Sequence, residues 1–263
     1  MGKNSAIIIL VTGLILIPAL WFFPRIPNED GDVPSGQSDT FQPVVVLELF
    51  TSQGCSSCPP ADMLLHQLVS DSPQALYAVS YHVDYWNYIG WEDPFSKSEF
   101  TAMQRRYNDK LHSRSNYTPE LIINGQEHMV GSDGARIKSR IRDYGNVAAT
   151  NSVLLSEVKW DDRGIRAQYS VNGDLAGKQI KAVLVLGERV TQVKRGENRG
   201  RTLLNSQIAL AVREEPLSGP QGSLHFDAPG LLAPGESIFL LVMTQNREYH
   251  ITGAARTRVP GKS

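Results

Sequence analysis

The spacing of apolar and polar positions divides the first part of the chain into short elements. An apolar, β-branched run at 44–50 predicts a buried strand. Apolar residues then recur at helical spacing over 63–69, which predicts a helix that begins within 56–59. Pro59 and Pro60 fit the first turn of that helix, where a backbone N–H is not needed. The chain therefore starts its fold with a strand, a polar turn and a helix.

The same patterns continue to residue 146. Asn124-Gly125 lies between two extended runs, and this dipeptide is a strong signal for a tight hairpin turn. The further elements predicted are a strand at 75–83, a helix from Ser96 or Ser98 to about 111, hairpin strands at 120–123 and 126–130, and a helix at 135–144. The element order over 43–146 is thus β-α-β-α-β-β-α.

After residue 149 the pattern changes to short alternating runs separated by Gly, Pro and Asp. Such spacing is typical of an all-β domain of the sandwich type. The predicted strands are 153–158, 165–171, 179–187, 202–213, 223–227, 236–244 and 248–256. We therefore expect a β-rich, sandwich-like C-terminal domain over 149–258.

The N-terminus carries a separate signal. Residues 6–23 form a nearly uninterrupted apolar run after Lys3, long enough for a membrane span or a secretory signal. A cleavage site for a signal peptide needs small residues, but the residues at 20–25 are bulky. The segment 1–23 is therefore predicted to be an uncleaved signal-anchor rather than a cleaved signal peptide. Residues 24–42 are rich in Pro, Gly, Asp and Ser and predict a flexible linker. The body is expected to be exported to the periplasmic side and anchored to the inner membrane.

Charge and cysteine content narrow the functional classes. The chain has 26 basic and 27 acidic residues, a balance that argues against nucleic acid as a partner. Its two cysteines, Cys55 and Cys58, lie in the turn between the first strand and the first helix. If the folded part of the chain is exported, these cysteines lie in an oxidising compartment, where a disulfide persists.

A Cys-x-x-Cys pair in a βα turn is the sequence sign of a thioredoxin-like redox site. A helix N-terminus favours negative charge, so it lowers the pKa of a cysteine placed there and populates the reactive thiolate. Cys55 is expected to be exposed and to attack substrate disulfides, and the expected partners are protein or small-molecule thiols and disulfides. Cys58 is expected to be more buried and to resolve the mixed disulfide, and no cofactor is required.

Two other functions use the same residues. The two thiolates suit Cu(I), with His82 as a further ligand, in a metal-binding or metal-delivery module. Alternatively the disulfide is redox-inert and the protein is an interaction module. A closed zinc site is not predicted, because it needs four ligands and the six histidines show no paired spacing.

Four sets of residues resemble a known family. Thr118-Pro119 precedes a hairpin strand as in the thioredoxin fold, and Glu48 matches in type the buried acid of thioredoxin-like oxidoreductases. The segments 48–62, 82–86, 90–95 and 195–201 resemble an exported bacterial thioredoxin-like family of unknown function. The resemblance implies an α/β thioredoxin-like domain over 43–148. It also implies a cis peptide bond at Pro119 that shapes a substrate groove with Thr118, and a proton-transfer role for Glu48.

Polar and aromatic residues follow the second predicted strand. The carboxyl ends of parallel neighbouring strands open on the same side of a sheet, so residues 82–91 are expected near Cys55. His82, Asp84, Trp86 and Trp91 are therefore predicted to line the substrate site. The competing interpretation is that the two tryptophans pack a lid and that His82 is bonded internally.

A basic cluster lies in the C-terminal part. It consists of Lys194, Arg195, Arg199 and Arg201, with Glu197 among them. Two interpretations are open: a solvated hairpin tip, or a contact with an anion or a partner, since Arg binds carboxylates and phosphates in a bidentate manner.

Overall fold

The computed structural model describes residues 41–72 and 76–262. These residues belong to a single unit that begins at residue 39. The predicted signal-anchor and nearly all of the predicted linker lie outside the described residues. In the described part of the chain, no helix is both long and apolar enough to cross a membrane.

The local elements of the first part agree with the pattern of the sequence. Asn124 and Gly125 form the predicted hairpin turn, and both have positive φ angles, 48° and 66°. The elements are β1 (Val45–Thr51), α1 (Pro59–Asp71), β2 (Leu76–His82), a short 3-10 helix (Asn87–Ile89), α2 (Ser98–Lys110), β3 (Glu120–Ile123), β4 (Glu127–Val130) and α3 (Gly134–Tyr144).

Seven further strands follow, near the positions that alternation predicts. They are β5 (Asn151–Asp161), β6 (Gly164–Gly173), β7 (Gln179–Gln192), β8 (Thr202–Pro216), β9 (Gln221–Asp227), β10 (Ile238–Gln245) and β11 (Ile251–Arg258). β7 and β8 are the longest of them, with 14 and 15 residues. They form one long hairpin whose tip lies at 193–201.

The predicted fold class is wrong. One eight-stranded mixed sheet has the order β11-β10-β7-β8-β2-β1-β3-β4, so strands from both halves of the chain share it. β8 lies parallel to β2, with Ser80 opposite Ile208. β5, β6 and β9 form a second, three-stranded sheet. The protein is therefore a mostly β structure, and not a thioredoxin-like α/β domain followed by a separate sandwich.

The two faces of the large sheet bury different partners, because side chains alternate along a strand. Leu47 and Leu49 of β1 pack with α1 and α3, whereas Val46 and Phe50 pack with α2. On the β7–β8 half, Leu184 packs against the three-stranded sheet. The helix α1 also contacts β8, the strand beside β2, so the turn before α1 lies close to the β7–β8 hairpin.

Candidate functional site

The two cysteines occupy the turn between β1 and α1 and form a disulfide, with their Cα atoms 5.5 Å apart. The turn is fixed by hydrogen bonds from the Cys55 N–H to the Ser52 carbonyl oxygen and from the Cys58 N–H to the Cys55 carbonyl oxygen. Cys58 directly precedes α1, which begins with Pro59 as predicted.

The predicted difference in exposure between the cysteines is wrong. Cys55 and Cys58 both have 0% of their surface exposed, while Ser56 and Ser57 between them are exposed. Segments that the sequence places far away cover the turn, and these covering contacts cannot be derived from the Cys-x-x-Cys spacing.

The tip of the β7–β8 hairpin is one such cover. Asn198 is buried, and its side-chain amide donates hydrogen bonds to the carbonyl oxygens of Gln53 and Cys55 over 2.9 and 2.8 Å. The Ser56 N–H donates to the Glu197 carboxylate over 3.1 Å, and the hydrogen bonds from Ser56 lower the pKa of Glu197.

The tip of this hairpin contains the basic cluster that the sequence analysis described. Within the tip, Glu197 and Asn198 contact the cysteine turn. Lys194, Arg195 and Arg199 are exposed around them. The tip is therefore more than a solvated turn, and the partner that it contacts within the described chain is the disulfide segment.

Trp86 and Thr118 form a second wall of the site. The Trp86 Nε1–H donates to Thr118 Oγ1 over 2.7 Å, and the Ser57 hydroxyl donates to the Thr118 carbonyl oxygen over 3.4 Å. Ser57 Oγ in turn lies 3.4 Å from Cys55 Sγ. The peptide bond between Thr118 and Pro119 is cis, as predicted. Thr118 thus contacts the turn directly.

The aromatic segment lies against the cysteine turn. A Cβ atom added to Gly54 would stand 3.0 Å from Trp86 Cβ, so this position accommodates only glycine without a shift. The Trp91 Nε1–H donates to the side-chain oxygen of Gln53 over 3.1 Å. Both tryptophans therefore contact the residues that directly precede Cys55.

Asp84 is placed differently from the tryptophans. Its carboxylate accepts a hydrogen bond of 2.6 Å from the Thr101 hydroxyl on α2. The same hydroxyl accepts the Asp84 N–H. These bonds fix the start of the aromatic segment to α2, and the role of Asp84 in substrate binding stays a prediction.

Glu48 lies in a buried ion pair. Its carboxylate contacts Lys181 Nζ of β7 over 2.5 Å and accepts hydrogen bonds from the hydroxyls of Tyr81 and Tyr107. Glu48 is on the face of β1 that carries Val46 and Phe50, under α2. The structure thus gives Glu48 a role in joining the two halves of the sheet, and its predicted role in proton transfer stays a prediction.

His82 is fully buried and paired with a residue that sequence analysis did not select. His82 Nδ1 lies 2.7 Å from Asp93 Oδ2. Burial opposes the charge on both side chains, but their mutual attraction outweighs it, so the pKa of His82 is raised and that of Asp93 is lowered. Asp93 also accepts the backbone N–H groups of Gln53 and Phe95.

Asp62 is the second residue that sequence analysis did not select. It lies in the first turn of α1 and is only 4% exposed. Burial raises its pKa to about 7, and the nearby His82 and the side chains of Thr51 and Asn205 offset that effect only in part. The signal for Asp62 was present in the sequence, since it follows Cys58 by four residues and so shares its face of the helix.

The alternative of a metal-binding module depends on the same residues. Over 41–72 and 76–262, no group of three or more His, Cys, Asp or Glu side chains is arranged to hold a metal ion. His82 Nδ1 is engaged with Asp93, and its Nε2 atom is buried without a hydrogen-bond partner in the described chain.

Comparison with known proteins places the chain in a family. Residues 46–242 match the family described as "Protein of unknown function (DUF1223)". The chain belongs to this family. The match spans both halves of the large sheet, from β1 into β10. The DUF1223 match therefore includes the cysteine turn and the hairpin tip that covers it.

Two solved structures are similar to this DUF1223 chain. A crystal structure of a protein from Agrobacterium tumefaciens is 26% identical, covers 86% of this chain and 96% of its own, and has a TM-score of 0.61. HBP35 of Porphyromonas gingivalis is 14% identical, covers 83% of this chain and 76% of its own, and has a TM-score of 0.59. The second likeness concerns the fold alone. Among curated proteins, none matches the chain.

Proposed function

We propose that this DUF1223 protein carries out thiol–disulfide exchange with the Cys55–Cys58 pair. The observation that supports it most is the position of the pair in the turn before α1, with Cys58 next to the first residue of the helix. A thiolate formed at this place is stabilised by the helix N-terminus, which makes it a better leaving group and a reactive nucleophile.

The exchange proceeds in two balanced steps. A substrate thiolate attacks Cys55 Sγ, a mixed disulfide forms, and Cys58 leaves as a thiolate. A second substrate thiolate then attacks the substrate sulfur of the mixed disulfide, which releases oxidised substrate and the Cys55 thiolate. The substrate loses two electrons and the protein gains them, and the reverse sequence oxidises the protein. The reduction potential of the pair relative to the substrate sets the direction.

Access to Cys55 runs along the exposed serines of the turn. Ser57 is exposed and touches Cys55 Sγ, and Trp86 and Thr118 stand beside it. Because Cys55 is fully buried, a substrate has to displace part of this cover. We further propose that the protein is exported through its N-terminal apolar segment, because an oxidising compartment maintains the disulfide.

A redox-inert disulfide is the rival function, and the burial of both cysteines favours it. The two functions are distinguished by the reduction potential of the Cys55–Cys58 pair. It is measured by equilibrating the full chain with dithiol buffers and trapping the free thiols by alkylation. Exchange predicts a reduction potential within the range of known redox proteins. A potential below about −300 mV is that of a structural disulfide and contradicts the proposal.

Trapping variants provide the matched comparison. With Cys58→Ser, the remaining Cys55 thiolate attacks a disulfide substrate and accumulates as a mixed disulfide. With Cys55→Ser, the remaining Cys58 is expected to accumulate far less, because Cys55 is the residue proposed to attack. Equal accumulation in both variants contradicts the assigned roles.

A further inference from the structure

Asp62 lies in the first turn of α1, on the same side as Cys58, the residue that precedes the helix. Cys58 has helical backbone angles, φ −77° and ψ −38°, and the Asp62 N–H donates to its carbonyl oxygen over 3.1 Å. Residues four apart on a helix have their Cβ atoms about 5–6 Å apart. Both side chains are buried, so Asp62 is a buried acid one helical turn after the cysteine whose sulfur leaves when the disulfide opens.

The polar groups around Asp62 come from three strands. The side chains of Thr51 at the end of β1, His82 at the end of β2 and Asn205 on β8 each lower the pKa of the Asp62 carboxyl and so lie near it. Thr51 Oγ1, His82 Nε2 and Asn205 Nδ2 are buried and have no hydrogen-bond partner within the described residues. Buried polar groups are almost always hydrogen-bonded, and exceptions often have a catalytic role. Three such unpaired atoms near one buried carboxyl therefore indicate a functional site.

The charged groups of this cluster are His82 and Asp93. Asp93 holds the His82 ring through Nδ1 and so directs Nε2 away from itself, while Gln53 and Phe95 hold Asp93 through their N–H groups. The positive charge of His82 favours the ionised form of Asp62, and burial favours the neutral form. With a pKa of about 7, the Asp62 carboxyl both holds and releases a proton near neutral pH.

We propose that Asp62 is the proton-transfer residue for Cys58, and that His82, held by Asp93, is the positioning residue that tunes it. The inference rests on the proposed exchange function. When a substrate thiolate attacks Cys55 Sγ, the S–S bond breaks and Cys58 leaves as a buried thiolate. The Asp62 carboxyl gives its proton to that thiolate and becomes a carboxylate. In the reverse step the carboxylate takes the proton back as Cys58 attacks the mixed disulfide.

The proposal predicts a specific pH profile for reduction of the full-length oxidised protein by dithiothreitol. The rate is divided by the fraction of the reductant present as thiolate, which removes the reductant's own titration. For the natural protein this corrected rate falls with an inflection near pH 7, as Asp62 loses its proton. A corrected rate that is flat from pH 5.5 to 8.5 overturns the proposal without any variant.

Asp62→Asn removes the proton donor and keeps the shape of the side chain. The corrected rate at pH 6 is expected to fall about tenfold and the inflection to disappear. General acid–base groups usually contribute more than this, but a thiolate is a good leaving group and needs less assistance. Asp71→Asn is the matched control, because Asp71 is an exposed acid at the other end of the same helix.

His82→Gln provides a second, independent test. Removing the positive charge beside Asp62 disfavours the carboxylate, so the inflection moves to higher pH. An inflection that stays at the same pH in His82→Gln overturns the positioning role of His82. If the natural protein does not exchange with dithiols at all, the exchange function itself fails; if it exchanges with an unchanged profile in Asp62→Asn, the proton-transfer assignment alone fails.

Discussion

The side-chain amide of Asn198 donates a 2.8 Å hydrogen bond to the carbonyl oxygen of Cys55, across 143 residues of sequence. This bond joins the β7–β8 hairpin tip to the turn that carries the disulfide. It makes the C-terminal half of the chain part of the cysteine site.

Asn198→Ala is expected to loosen this cover. The change leaves the buried carbonyl oxygens of Gln53 and Cys55 without their donor, which costs about 1–3 kcal/mol of the free energy of unfolding. Urea unfolding measures the loss, and the rate of disulfide reduction by dithiothreitol is expected to rise. Arg199→Ala, at an exposed position of the same tip, is the control and should change neither quantity.

Lys181→Met is expected to be strongly destabilising. It leaves the Glu48 carboxylate buried without its cation, and breaking a buried ion pair on one side costs roughly 3–5 kcal/mol. The double variant Glu48→Gln with Lys181→Met should recover part of that loss in urea unfolding. Lys110→Met breaks the exposed pair with Glu248 and should cost only about 0–1 kcal/mol. Similar losses for Lys181→Met and Lys110→Met would contradict the buried ion pair.

The buried Glu120 is expected to make the free energy of unfolding depend on pH. Burial raises its pKa from 4.5 to about 7, and the donors Gln104 and Asn108 offset this in part. The folded state therefore holds a proton that the unfolded state releases, so this contribution is complete below about pH 4 and is lost as the pH rises through 7. Glu120→Gln should be more stable relative to the natural protein at pH 8 than at pH 5, by up to about 3 kcal/mol.

The measurement for Glu120 is urea unfolding of both proteins at the two pH values. His82 also has a raised pKa and gives the natural protein the same trend, but that trend is shared by the variant and cancels in the difference. A difference in unfolding free energy that is equal at pH 5 and pH 8 would show that Glu120 is not protonated in the folded state near neutral pH.

Gly125→Ala tests the contact between the first hairpin and the last strands. Gly125 has a φ of +66°, and an added Cβ atom would stand 1.9 Å from the carbonyl oxygen of Tyr249. Strained backbone alone costs roughly 1–3 kcal/mol, and the clash adds to it. Thermal or urea unfolding should show a large loss for Gly125→Ala. Gly219→Ala, where an added Cβ atom meets nothing within 4 Å, should stay within about 0.5 kcal/mol.

Sequence patterns predicted the elements well because each pattern is local. Alternation and helical spacing located β1, α1 and β2, and Asn124-Gly125 located the first hairpin. The pairing of β8 with β2 was missed because it rests on a short parallel contact at Ser80 and Ile208, which leaves no local pattern. The separate C-terminal domain was predicted for that reason.

The candidate site was predicted in part. The cysteines, Trp86 and Thr118 come together as their motifs suggested, and the Thr118–Pro119 bond is cis. The burial of Cys55 and the ion pair of Glu48 depend on β7 and on the hairpin tip, which approach only in the folded sheet. Asp62 could have been predicted from the sequence alone, because it follows Cys58 by four residues and a helix places such residues on one face.

The disulfide turn and the β7–β8 hairpin tip that covers it lie far apart in the sequence, and this has a consequence for biosynthesis. Ribosomes make proteins from the N-terminus at about 5–20 residues per second, so Asn198 follows Cys55 by roughly 7–30 s. During that interval both thiols emerge without the hairpin tip that later buries them. Oxidants therefore reach the Cys55–Cys58 pair of the nascent chain more easily than the same pair in the folded protein, and the disulfide can form before β8 joins the sheet.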